Sequence, residues 1–175
     1  LAGLADTVAL GLRTNQDILL RCLAHPVFAA GEANTAFIGE HQEELLAVDA
    51  VRQSEAAALA AALLQAGADQ QPSPLAHTLA APLRFEMDGQ PHASVVQRLR
   101  GGTYAVALDQ TARVDIGLRY LGDGQWQVLR GSGVQSRLRV ARAVAGRLWL
   151  HLAGRAHEVH GTSLAPPQDA AGHHG

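Results

Sequence analysis

The chain contains 175 residues, of which 47% are hydrophobic and 17% are charged, and its formal net charge is −2 at pH 7. This composition is that of a globular protein, and it excludes a long disordered chain and a strongly basic nucleic-acid-binding domain. All 14 basic residues are arginine, so the chain contains no Schiff-base lysine, no phosphate-loop lysine and no lysine that carries a covalent cofactor.

Three further features of the sequence indicate where the protein works. No apolar run approaches the roughly 20 residues that span a membrane, and the first ten residues lack the basic start of a secretory signal. Cys22 is the only cysteine, which excludes an internal disulfide and favours a buried thiol in a reducing compartment. We therefore expect a cytoplasmic protein with no membrane or nucleic-acid partner.

The first predicted elements, in residues 1–46, are short helices. One helix ends near Ala24, because Pro26 cannot continue the hydrogen-bond ladder and disfavours helical backbone at the residue before it. The sequence GEANTAFI then predicts a turn and a short element that buries Phe37 and Ile38.

Residues 45–68 predict one long helix with strong intrinsic propensity, because the stretch is rich in alanine. Its apolar residues, among them Val48, Val51 and Leu59, lie around most of the helix circumference, and Gly67 is a natural C-cap. A helix that is apolar on all sides is usually surrounded by protein. The pattern alone also allows an ordinary amphipathic helix that packs on one side.

Residues 70–161 predict a proline-rich loop followed by an antiparallel β-structure. Turn signals such as Asp88-Gly89, Gly101-Gly102 and Asp123-Gly124 separate strands at intervals of about 8–12 residues, which is typical of a barrel or a sandwich. The predicted strands are LRFEM, HASVVQRLR, TYAVAL, ARVDIGLRYL, QWQVLR, VQSRLRVARAV, RLWLHLA and RAHEVHG. The fold class is therefore α+β.

No candidate catalytic or metal site emerges from the residues. His157 and His160 lie three apart in a predicted strand and face opposite sides of the sheet, which is unsuited to joint metal ligation. No G-x-S-x-G elbow is present. Arginines in VVQRLR and RLRVARAV alternate with apolar residues and are predicted on the outer face, either as a solvated surface or as a patch for an anion or a partner protein.

One stretch of about thirty residues resembles a known family. The sequence GLRTN, followed by L-L-x-x-L-x-H-P-x-F-x-x-G-x-x-x-T-x-F-I, is similar to the end of the biotin carboxylase domain of biotin-dependent carboxylases. It looks most like the alpha subunit of acyl-CoA carboxylases that act on propionyl-, methylcrotonyl- or geranyl-CoA. The residues at the family positions are Gly11, Thr14, Asn15, His25, Pro26, Phe28, Gly31, Thr35 and Phe37.

The resemblance implies an order of domains along the chain. Residues 1–46 are expected to end the biotin carboxylase domain, residues 47–161 to form an inter-subunit domain, and residues 162–175 to lead as a linker towards a biotin carrier domain. The inter-subunit domain of this family is an eight-stranded β-barrel around a central helix. The chain begins in amphipathic sequence and ends in linker-like sequence, so we expect it to be a segment of a longer protein.

The resemblance also implies a function, that of a non-catalytic scaffold that binds the carboxyltransferase (beta) subunit. The intact enzyme uses ATP, magnesium and biotin, but the family residues that hold them lie outside the matching stretch, so we expect no cofactor on this segment. The loop residues Leu75, Leu79 and Pro82 are predicted to contact the carboxyltransferase subunit, since a solvated linker has no need of apolar groups. Alternatively, this loop folds back over the open end of its own barrel. The alternative is a free-standing barrel that binds a small ligand and has its helix outside; the absence of a polar face in residues 57–64 argues against it.

Overall fold

The computed structural model describes residues 2–67, 79–130, 133–143 and 147–162. Eight antiparallel strands form a closed barrel, and helices precede them, which confirms the predicted α+β fold. Within the described residues, no helix combines the length and apolar composition that crossing a bilayer requires. The helices are α1 (Ala2–Asp6), α2 (Gln16–Ala24), α3 (Pro26–Ala29), α4 (Phe37–Glu40), α5 (Gln42–Leu46) and α6 (Ala50–Ala66).

The helices α1 to α5 are short, and three buried residues form an apolar cluster among them. Helix α2 ends at Ala24 as predicted, since His25 adopts an extended backbone before Pro26, which begins α3. The predicted burial of Phe37 is confirmed, but that of Ile38 is wrong, because Ile38 is 60% exposed. Successive residues of a helix lie about 100° apart around its axis, so Ile38 does not share the buried side of Phe37. The buried residues of the cluster are Cys22, Phe37 and Leu45.

The helix predicted over residues 45–68 is divided in two by residues 47–49. The carboxylate of Asp49 accepts a hydrogen bond (3.0 Å) from a backbone N–H in the first turn of α6. This N-cap satisfies an N–H that has no partner within the helix, so a new helix starts there. Val48 and Val51 lie beside this cap and are 71% and 78% exposed, which corrects the expectation that they pack around the helix.

Helix α6 passes through the interior of the barrel, as predicted. Every residue from Ala56 to Leu63 is at most 6% exposed, so no side of this stretch faces solvent. An eight-stranded barrel leaves an interior little wider than its own side chains need, and the six alanines of this stretch keep the helix thin enough to fit. Gly67 ends the helix with φ of 78°, which confirms the predicted C-cap.

Each strand pairs with its neighbour in sequence, and β1 pairs with β8 to close the barrel. The turns at Asp88-Gly89 and Asp123-Gly124 connect β1 to β2 and β4 to β5, and both aspartates have positive φ, as two-residue hairpin turns require. The strands are β1 (Ala81–Met87), β2 (Gln90–Arg98), β3 (Thr103–Leu108), β4 (Val114–Gly122), β5 (Gln125–Arg130), β6 (Gly133–Arg142), β7 (Arg147–Leu152) and β8 (Arg155–Thr162).

Strand β1 begins earlier than predicted, because Pro82 belongs to the strand rather than to the preceding loop. Pro82 pairs with Val95 of β2, whereas the pairing of β1 with β8 begins only at Arg84. A proline is tolerated in a strand where its missing N–H has no ladder partner. On the side away from β2, Pro82 has no paired strand, so its missing N–H interrupts no ladder there.

Arg98 differs from the expectation that the arginines of VVQRLR point outward. It follows the buried residues Ser94 and Val96 at two-residue spacing and therefore faces the inside of the barrel. Its Nη2 donates to the carbonyl oxygen of Gln65 (3.1 Å) at the end of α6. The guanidinium carbon lies 5.9 Å from the centroid of the Tyr104 ring. A cation near the C-terminus of a helix is favourable because the carbonyl ends of the peptide dipoles point there.

Candidate functional site

The residues predicted to contact the carboxyltransferase subunit lie before β1 and at its start. Leu79 is 82% exposed, which is the highest value among the large apolar residues of the described part of the chain. Pro82 is exposed on β1. Leu75 lies outside the described residues.

The structure adds three residues to this surface that the sequence analysis missed. The outer face of β2 carries Pro91, Ala93 and Val95, all of them exposed, and Val95 is the register partner of Pro82. The signal in the sequence was an apolar residue at every second position of β2, on the face opposite the buried one. We name the surface formed by Leu79, Pro82, Pro91, Ala93 and Val95 the β1–β2 patch.

A chain of charged groups joins α2 to one end of the barrel. Asp17 Oδ2 lies 3.0 Å from Arg21 Nη2 and 3.9 Å from Arg155 Nη1. Arg155 Nη2 lies 4.0 Å from Asp88 Oδ2, which in turn lies 2.8 Å from Nδ1 of His157. These contacts tie the helical segment to the β1–β2 turn and to β8.

Asp88 is the most strongly held carboxylate in this chain of charges. Its Oδ1 accepts a hydrogen bond from the backbone N–H of Glu158 (3.0 Å). Burial by itself raises the pKa of Asp88, but the hydrogen bonds from His157 and Glu158, aided by the charges of His157 and Arg155, hold this pKa below its ordinary value. The carboxylate form therefore stabilises the fold.

We expect Asp88→Asn to lower the free energy of unfolding by about 1–2 kcal/mol at pH 7. A group whose pKa is lowered by folding contributes stability above its unfolded pKa of about 3.9, and loses that contribution as the pH falls through its folded pKa. The difference between wild type and variant should therefore shrink below about pH 4. Urea unfolding at pH 7 and at pH 3 measures this difference.

Asp123→Asn is the matched control, because Asp123 is also a turn aspartate with positive φ before a glycine, and it is exposed. We expect its effect to be within about 0.5 kcal/mol at either pH. An equal loss at pH 7 and pH 3 for Asp88→Asn would mean that shape, and not charge, stabilises this turn.

A surface cavity of about 240 Å³ lies between α2, the start of α6 and this end of the barrel. Three arginines and three carboxylates border it, so it offers a ligand no excess charge of either sign. We interpret it as a gap between packed elements rather than a binding site. The charged residues are Asp17, Arg21, Asp49, Arg52, Glu55 and Arg155.

Two histidines and a glutamate lie close together near the end of α2, at distances at which a metal could bind. His25 Nε2 and His41 Nδ1 lie 3.4 and 3.7 Å from Glu44 Oε2. However, Nδ1 of His25 accepts a hydrogen bond from the backbone N–H of Val27 (3.3 Å), so the neutral ring carries its proton on Nε2. A metal on Nε2 would move that proton to Nδ1, against the Val27 N–H, whereas metal-binding histidines donate from the second nitrogen. This geometry favours a hydrogen bond to Glu44 over a bound metal.

His157 and His160 face opposite sides of β8, as the sequence predicted. His157 is 4% exposed and contacts Asp88, whereas Nε2 of His160 lies 3.1 Å from Glu158 Oε1. The two rings therefore do not meet at a shared metal position.

The interior of the barrel bears on the alternative function, a free-standing barrel that binds a small ligand. In such a barrel the ligand occupies the central space, while here α6 fills it with residues that are buried on every side. The position of α6 therefore argues against the ligand-binding alternative.

Comparison with known proteins gives one partial similarity. No protein-family model matches the chain. A stretch of 55 residues is 46% identical to the mitochondrial alpha subunit of methylcrotonoyl-CoA carboxylase from Dictyostelium discoideum. The stretch makes up 31% of this chain and spans only 8% of the length of that relative. Over that stretch the chain is thus similar to the alpha subunit of a carboxylase.

Proposed function

We propose that the chain is a scaffold segment of the alpha subunit of a biotin-dependent acyl-CoA carboxylase. The observation that supports this function best is the order of parts along the chain. A carboxylase-like stretch with His25-Pro26 is followed directly by a helix that runs through an eight-stranded barrel. The similarity to a methylcrotonoyl-CoA carboxylase alpha subunit supports the same assignment.

The proposed role is structural. Covalent biotin requires a lysine amine, and the chain has none, so its residues do not fit biotin attachment. Carboxylation of biotin with ATP and bicarbonate, and transfer of the carboxyl group to an acyl-CoA, are proposed for the intact enzyme. This segment would hold the subunits together while those steps take place elsewhere.

The proposed partner is the carboxyltransferase (beta) subunit, and the proposed contact is the β1–β2 patch. The five residues of this patch are exposed and apolar, and the exposed charged residues Arg84 and Glu86 of β1 lie opposite Ala93 and Pro91. An apolar centre with charged groups beside it is the composition found at protein interfaces. The cytoplasmic location expected from the sequence stays a prediction, and the similar alpha subunit is a mitochondrial protein.

Binding to the carboxyltransferase subunit from the same organism tests the proposal. We expect isothermal titration of the chain with that subunit to give a saturable complex with a dissociation constant of about 1 μM or lower, as specific interfaces of standard size do. An unrelated protein of similar charge serves as the control. Absence of a complex between two folded proteins would contradict the proposed role.

A further inference from the structure

Three arginines lie on the outer face of β4 and β6, and each of them is paired with a glutamine of β5, the strand between. Arg119 of β4 is opposite Gln127 of β5, which is opposite Arg137 of β6. Arg139 follows on the same face of β6 and has Gln125 as its register partner. Neighbouring strands lie about 4.8 Å apart, and residues two apart in a strand lie about 7 Å apart. The three guanidinium groups therefore belong to one surface, which we name the arginine face.

The arginines of this face differ from most others in the described part of the chain because no carboxylate pairs with them. Arg119, Arg137 and Arg139 are exposed, and none of them has an ion pair among the described residues. Six arginines elsewhere each lie within 4.0 Å of a carboxylate oxygen, and these are Arg21, Arg52, Arg113, Arg130, Arg147 and Arg155. The arginine face is therefore a concentrated positive charge that no carboxylate of the described residues approaches to ion-pair distance.

A cavity of about 360 Å³ lies over this face, bordered by Arg137, Arg139 and His151. His151 of β7 is the register partner of Arg139. The residue is only 5% exposed, and its buried Nε2 has no hydrogen-bond partner within the described residues. A buried polar atom without a partner is uncommon in native proteins and calls for an explanation. The Nε2 atom is closed off from the cavity, but His151 borders the cavity, so an anion bound there would lie beside the ring.

We propose that this cavity binds an organic phosphomonoester, with the phosphate held by Arg137 and Arg139 and an apolar group against the cavity wall. Two guanidinium groups that each donate two hydrogen bonds would use all four lone-pair sites of a carboxylate and would leave half of their combined charge unbalanced. A phosphomonoester offers three oxygens and close to two negative charges near pH 7. The inference is independent of the proposed carboxylase function.

The remaining cavity wall indicates the rest of the ligand. Val8 and Leu121 border the cavity and are 39% and 47% exposed, so they offer an apolar surface beside the arginines. The volume lies at the lower end of the range of about 300–1,000 Å³ found for small-molecule sites. The carboxylate of Asp6 also borders the cavity and repels a phosphate. Removing the charge of Asp6 should therefore strengthen phosphate binding, whereas removing an arginine should weaken it.

Binding of phenyl phosphate, inorganic phosphate and benzoate to the chain tests the proposal in a buffer free of other phosphate. We expect phenyl phosphate to bind at least threefold more tightly than inorganic phosphate, because it adds the apolar contact, and more tightly than benzoate, because it adds acceptor oxygens. Burial lowers the pKa of His151, and the charge of His157 lowers it further. A bound dianion favours the imidazolium form, so NMR titration should show that phenyl phosphate raises the pKa of His151.

Two pairs of substitutions locate the site. The double variant Arg137→Gln/Arg139→Gln should weaken phenyl phosphate binding at least tenfold, whereas Arg84→Gln/Arg100→Gln, which removes the same charge from exposed positions elsewhere, should change it less than twofold. Asp6→Asn should tighten binding. All these side chains are exposed, so thermal melting of the variants should match that of wild type.

Equal weakening by the two double variants would overturn the proposal, since it would indicate general attraction to a basic surface. Benzoate binding as tight as that of phenyl phosphate would overturn the phosphate assignment, and an acidic peptide that binds where phenyl phosphate does not would show a protein surface instead. An unchanged pKa of His151 at saturating phenyl phosphate would place any binding outside this cavity.

Discussion

The substitution Leu59→Asp is expected to abolish folding of the chain. Leu59 is 1% exposed at the centre of α6, where every neighbouring turn is also buried by the barrel. Loss of a buried leucine side chain costs about 2–5 kcal/mol, and an unpaired buried carboxylate adds several kcal/mol more. Together these terms approach or exceed the total stability of about 5–15 kcal/mol that a domain has. Circular dichroism and urea unfolding of the purified variant measure the result.

Val51→Asp is the matched control, because it places the same charge on the same helix at a position that is 78% exposed. Val51 also lies in the first turn of α6, where a negative charge is favourable to the helix. We expect this variant to unfold within about 0.5 kcal/mol of wild type. A cooperatively unfolding Leu59→Asp variant of near wild-type stability would contradict a helix enclosed by the barrel.

The parts of the fold that the sequence predicted are those in which local chemistry and the final structure agree. The turn pairs Asp88-Gly89 and Asp123-Gly124 favour positive φ wherever they occur, so they marked the hairpins of the barrel correctly. The run from Ala56 to Leu63 has no polar face, which is typical of a helix surrounded by protein, although the pattern alone also allowed packing on one side. Neither inference depends on knowing which strands pair.

The features that the sequence did not predict depend on tertiary context. The N-cap at Asp49 competes with a continuous helix of good propensity, and in the structure the cap prevails and starts a new helix. Arg98 has the pattern of an outward arginine, but the end of α6 offers it the carbonyl oxygen of Gln65 inside the barrel. Pro82 is acceptable in β1 only because β8 does not reach it. The partners of Arg98 and Pro82 are distant in sequence, whereas the Asp49 cap is a local contact whose signal was missed.

The sequence pointed to only some residues of the candidate interface, because the others depend on how the strands pair. Leu79 and Pro82 were identified because apolar residues in a proline-rich loop are unusual. Val95 looked like an ordinary strand residue, since neither face of an isolated strand is marked as inside or outside. The register of β2 against β1 placed Val95 beside Pro82 and outside the barrel. Arg137 and Arg139 of the arginine face belong to the predicted outward pattern of RLRVARAV, whereas Arg119 and the cavity depend on the pairing of β4 to β6.

The double variant Leu79→Ser/Val95→Thr is expected to weaken association with the carboxyltransferase subunit by about 2 kcal/mol, or roughly thirtyfold in the dissociation constant. Interfaces concentrate their energy in a few apolar anchors, and Leu79 and Val95 are the largest exposed apolar side chains of the β1–β2 patch. Both are already exposed, at 82% and 47%, so the melting temperature of the chain alone should stay close to that of wild type. Isothermal titration against the partner and thermal melting of the chain measure the two quantities.

Val134→Thr is the control for the interface, since Val134 is 55% exposed on β6, away from the patch. It makes the same chemical change as Val95→Thr, so it separates an effect of position from a general loss of exposed apolar surface. We expect it to leave the dissociation constant within about twofold of wild type, because most residues outside an interface core contribute little to binding. Weaker association in Val134→Thr than in the double variant would place the contact on the β6 side of the barrel. Unchanged association together with a lowered melting temperature in the double variant would mean that Leu79 and Val95 stabilise their own barrel, and the carboxyltransferase subunit would then have to bind through another surface.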